Sequence, residues 1–132
     1  MENLLKSSTE ILLLLFLIIT FLQSGIDKIF DWTGNLSWLK SHFENTPLQN
    51  LVPMLLGTVM LVEIMAGALC ALGIYQLVMM EEKTLALFGG IMSCIALLML
   101  LFGQRLAKDY EGAKTIAVYF IPAIFLVFLL QS

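Results

Sequence analysis

The sequence predicts an all-α integral membrane protein, a four-helix bundle, and three observations carry that prediction. Of 132 residues, 60% are hydrophobic and only 13% charged, against about half and about a quarter in an ordinary soluble domain. The mean hydropathy of +0.95 implies more apolar surface than a chain of this length can bury in water. Four stretches, 11–30, 51–75, 84–103 and 113–130, each supply the roughly 20 mostly apolar residues that a membrane helix requires. The chain thus reads as one transmembrane domain, 1–132. The net charge of -3 comes from scattered residues with no basic run, which excludes nucleic acid as a partner.

The first stretch is expected to stay in the mature chain. Its start holds Glu2, Lys6 and Glu10, and Phe21-Leu22-Gln23-Ser24 is a poor cleavage site for a signal peptide. The connection 31–50 is the longest. Its Trp32, Trp38 and Phe43 favour the headgroup region, so it is expected to form short interfacial structure. The connections 76–83 and 104–112 are short, which makes the helices they join antiparallel neighbours.

With four spans, both termini and the second connection share one membrane face. The first and third connections share the other, which carries Lys28, Lys40, Arg105, Lys108 and Lys114 against Lys6 and Lys83 opposite. The excess makes the first and third connections cytoplasmic by the positive-inside rule.

Ionisable residues within a membrane are costly and by default mark packing partners or function. Glu63 lies mid-way along the second span and shares a helical face with Gly67, Cys70 and Ile74. It reads either as a proton-active or ligand-accepting carboxylate, or as a buried acid that holds helices together. The end of the first span turns polar with Thr20, Gln23, Ser24, Asp27 and Lys28. The third ends in Gln104 and Arg105, followed by Asp109, and the fourth carries Tyr119.

The topology brings all these ends to one half of the bilayer, while the other half is nearly all apolar. An amphipathic cleft follows, opening toward the first and third connections, floored by Glu63 and rimmed by Gln23, Asp27, Lys28, Arg105, Asp109 and Tyr119. Whether Glu63 is paired depends on whether Lys28 or Arg105 points inward, which spacing leaves open. Gly67, and Gly90 with Cys94 in the third span, read as close-packing seams. Pro122 removes a hydrogen bond mid-helix; a kink there would widen the bundle near Tyr119, while such prolines are also tolerated in membrane helices for purely structural reasons.

Little here suggests a free-standing enzyme. Cys70 and Cys94 lie in spans at depths differing by about 6 Å, too poorly matched for a disulfide. His42 is the sole histidine, so no His-rich metal site or bis-histidine haem can form within the chain. No Ser nucleophile has a base nearby, and no phosphate loop is present. No catalytic or metal-binding residue is assigned.

Four groups of residues stand in a familiar order: Phe21-Leu22-Gln23-Ser24-Gly25-Ile26-Asp27-Lys28; Glu63 followed by Gly67, Leu69 and Gly73; Gln104-Arg105-Leu106-Ala107-Lys108-Asp109-Tyr110-Glu111-Gly112-Ala113; and Tyr119-Phe120. Over essentially the whole chain this resembles the DoxX family of small four-helix bacterial membrane proteins. Gly25 with Lys28, Glu63 with Gly67, and Lys108-Asp109-Tyr110 are the matching motifs, while the long first connection departs from the family's compact pattern. The resemblance implies a bundle in the bacterial cytoplasmic (inner) membrane. The family takes its name from a subunit of a quinol-oxidising respiratory complex.

Three functions are compatible with this reading. One is an accessory or ligand-binding subunit of a membrane redox complex. Glu63 and Tyr119 would then contact a quinone-like or lipid headgroup, Lys28 or Arg105 would balance the carboxylate, and no cofactor would be intrinsic. Another is a structural or assembly subunit docked, among membrane lipids, on other integral membrane subunits. The third is a small lipid or solute transporter, although a pass-through route needs polar groups in both leaflets.

Overall fold

The computed structural model describes residues 5–132; Glu2, weighed above for a leader, lies outside them. The described residues form α1 (Ser8–Phe30), α2 (Trp32–His42), a 3-10 turn (Gln49–Leu51), α3 (Val52–Met80), α4 (Thr84–Leu106) and α5 (Tyr110–Gln131). Helices α1, α3, α4 and α5 are each long and apolar enough to cross a membrane. The chain is therefore a multi-pass, all-α membrane bundle. Its outward residues include Leu12, Ile19, Leu61, Phe102 and Phe128, all more than half exposed, a surface suited to hydrocarbon rather than water.

The helices run past the ends that hydropathy marks. The second span continues to Met80 because Leu77 extends the buried stripe of Cys70 and Gly73. The expected connection 76–83 shrinks to three residues. Glu81 takes a left-handed φ of 55°, an ordinary way to end a helix, and Gln76 Oε1 accepts from the Leu85 backbone N–H at 2.9 Å. The expected connection 104–112 likewise shrinks to 107–109. Lys108 turns the chain at φ 60°, and Asp109 Oδ1 caps α5 by accepting from Gly112 N–H at 2.9 Å. Helix α5 runs through Pro122 to Gln131.

Two close approaches set the register of α1 on α3. A Cβ on Gly67 would lie 2.5 Å from Leu22 Cγ, and one on Gly25 would lie 2.7 Å from Ile64 Cγ1. Continuing that register, Phe30 sits near the level of Val59, so α1 stops roughly 10 Å short of the level at which α3 begins. Helix α2 occupies this space: the Trp32 ring lies over Gly57 and the Phe43 ring beside Gly103. Between α4 and α5, Gly90 faces Val127 and Leu126, and Cys94 is buried.

Helix α3 packs extensively on α1 and on α4, and α4 on α5, but α5 and α1 meet only over a short stretch. That stretch includes Phe16 and Tyr119, whose ring centroids are 6.1 Å apart. The bundle is thus an open arc, with a gap between its first and last helices.

Candidate functional site

The polar end of α1 faces that gap. A cavity of about 550 Å3 is lined there by Gln23, Ser24, Asp27 and Lys28 of α1, Glu63 of α3 and Tyr119 of α5. Its apolar wall comes from Ile19, Leu97, Leu100 and Ile116. This size suits a small organic ligand or headgroup.

At its floor the Lys28 ammonium lies 2.8 Å from Glu63 Oε1. Glu63 is 2% exposed, so it cannot turn to solvent, whereas the Lys28 side chain keeps 16% of its surface. The contact is one of charge rather than an aligned hydrogen bond. The ammonium's aligned bond is donated to Ser24 Oγ at 2.7 Å, and Glu63 Oε1 has no donor in hydrogen-bond geometry. Lys28 also stands in the last turn of α1, where the helix dipole favours a cation. A buried carboxylate is tolerable in such a place only with a counter-charge, and the register of α1 supplies it.

Of the seven residues predicted for the cleft, Gln23, Asp27, Lys28, Glu63 and Tyr119 come together in this cavity. Arg105 and Asp109 line neither it nor its neighbour described below. Arg105 is exposed and its guanidinium lies 5.2 Å from the centre of the Tyr110 ring, a cation–π contact at the end of α4. Asp109 serves as the cap of α5. Gly67, Gly90 and Cys94 sit in helix seams, outside the cavity lining.

Asn35 and His42 have roles that the sequence reading did not assign. Asn35 lines the cavity from α2. His42 Nε2 lies 2.9 Å from Gln104 Oε1 and 3.5 Å from Asp109 Oδ2; both partners are acceptors, so Nε2 carries the proton. The ring stacks on Trp38 at 4.6 Å and meets Phe43 edge-on at 5.2 Å. One residue therefore ties α2 to the last turn of α4 and to the connection that follows it. The i, i+4 spacing of Trp38 and His42 was the available signal, since it places both on one face of a short helix.

Among the described residues no group of three His, Cys, Asp or Glu side chains is placed to hold a metal. The arrangement offers a fixed cation beside a fixed anion, with neutral donors and acceptors around them. It can orient a polar headgroup or relay a proton between that group and Glu63.

Comparison of the chain with protein-family models, curated proteins and solved structures finds no significant match. The DoxX resemblance therefore rests on the quoted residues alone.

Proposed function

We propose that this protein is a DoxX-like, membrane-embedded ligand-binding subunit that accompanies a larger membrane complex and holds the headgroup of an amphiphile between α1 and α5. The observation that carries the reading is the Lys28–Glu63 pair on the cavity floor. An ion pair at this depth is costly to bury, and a purely packing role would be served by apolar side chains. A quinone-type headgroup suits the site's chemistry: Lys28 can donate to a carbonyl, and Glu63 or Tyr119 can accept from a hydroxyl. The proposed location is a bacterial inner membrane. With Lys28 turned inward, the face of the first and third connections still presents Lys40, Arg105, Lys108 and Lys114 against Lys6 and Lys83, so that face is proposed to be cytoplasmic.

The test is gentle purification of the tagged chain from its native host, with mass spectrometry of co-eluting proteins and extracted small molecules. Recovery with respiratory subunits and a quinone, with Glu63→Gln losing the small molecule but keeping the subunits, supports the proposal. If Glu63→Gln is silent while bulky residues at Gly67 or Gly90 abolish co-purification, the protein is a structural subunit instead.

A further inference from the structure

Beneath α2 lies a second chamber of about 370 Å3. Its walls are mostly apolar: Trp38 and Phe43 on the α2 side, Leu56 and Val59 of α3, and Met99 and Phe102 of α4. Lys28, Asn35 and Leu100 line both this chamber and the polar cavity, so the two adjoin at the ion pair. We infer that together they form one site for a single-chain amphiphile with a neutral or cationic, hydrogen-bond-donating head: the head sits beside Lys28 and Glu63, and the chain is drawn under α2. This rests on the ligand-binding reading above and specifies its ligand.

Three observations support the assignment. The head cavity is lined by one cation, Lys28, and two carboxylates, Asp27 and Glu63. Lys28 is engaged by Glu63 and Ser24, while the Asp27 carboxylate has no hydrogen-bond or ion-pair partner among the described residues. A further anion would meet the unpaired Asp27 carboxylate beside the buried Glu63, whereas an O–H or N–H donor would be attracted by it. The tail chamber extends along α3 from Val52 to Val59, a run of about 10 Å, and is roofed by one short helix, which suits one hydrocarbon chain. The head cavity lies at the gap where α1 and α5 scarcely meet.

The chain has two tryptophans, and Trp38 alone lines the tail chamber. Full-length Trp32→Phe protein in lipid nanodiscs is titrated at alkaline pH with ω-bromoundecanol, ω-bromoundecylamine and ω-bromoundecanoate, and quenching of Trp38 is read. The alcohol and the amine should quench saturably, and the carboxylate at least about tenfold more weakly. Asp27→Asn should narrow that difference. Val59→Phe, or Leu56→Phe if the first does not fold, should fill the chamber and abolish the saturable component. A bromine beside the head should quench less than one at the chain end, a comparison that needs no filling variant.

Equal quenching by carboxylate and alcohol overturns the head assignment. Non-saturable quenching, or no dependence on bromine position, overturns the tail chamber. Neither result touches the broader reading, which fails separately if Glu63→Gln retains the same small molecule as wild type.

Discussion

Lys28, in the last turn of α1, reaches Glu63, at the middle of α3, with 2.8 Å between ammonium and carboxylate oxygen. The pair exists because small residues fix the helix register: Leu22 rests on Gly67 and Ile64 on Gly25. Motifs that look separate along the chain therefore act together, since the glycines place the charges.

The two partners should differ in what their loss costs. Lys28→Met leaves a 2% exposed carboxylate without its counter-charge, and breaking a buried pair this way costs about 3–5 kcal/mol. Glu63→Gln leaves an ammonium that keeps Ser24 and can still meet the amide oxygen, so its cost should be clearly smaller. Thermal unfolding in a single mild detergent checks the order; equal losses would mean that the pair is not buried.

Gly67→Ala should destabilise by about 1–3 kcal/mol, because the new methyl meets Leu22 at its Cγ and α1 must move. At Gly90 the nearest atom is a Val127 methyl at 3.1 Å, which can yield. The gain of about 1 kcal/mol in helix propensity then offsets the crowding, leaving Gly90→Ala near neutral. Denaturation of both variants tests the contrast.

His42→Ala should release α2 without loosening the bundle. Hydrogen exchange across Trp32–His42 is expected to accelerate, with α3 and α4 unchanged. Asp109→Asn keeps an equally good cap on α5 and should cost less than about 0.5 kcal/mol, since the His42–Gln104 bond remains. Uniform acceleration over all helices in His42→Ala would show that α2 supports the whole fold.

Tyr119→Phe keeps the ring against Phe16 and removes only the hydroxyl of this cavity-lining residue. Stability should be unchanged, while retention of a bound headgroup should weaken by about 1 kcal/mol, roughly fivefold. Competition with a short-chain quinol measures this directly.

Hydropathy and an even number of spans were enough to bring Gln23, Asp27, Lys28, Glu63 and Tyr119 toward one end of the bundle, and all five line one cavity. Span ends were less accessible, because Gln76 and Asp109 close the connections through side-chain caps that a hydropathy pattern does not register. Arg105 illustrates a second limit. It stands at the predicted membrane level, but a long side chain at a helix end is free to choose, and the Tyr110 ring draws it outward. The chamber under α2 depends on α1 ending early, a consequence of register that spacing within one helix cannot reveal.

The ligand proposed for the gap between α1 and α5 is held on the Lys28–Glu63 pair. Native mass spectrometry of the protein released from native membrane tests it most directly, comparing wild type, Glu63→Gln and the packing control Gly90→Ala. A small-molecule adduct is expected in wild type and in Gly90→Ala and should be lost in Glu63→Gln. An adduct-free wild type, or the same adduct in all three, would contradict it.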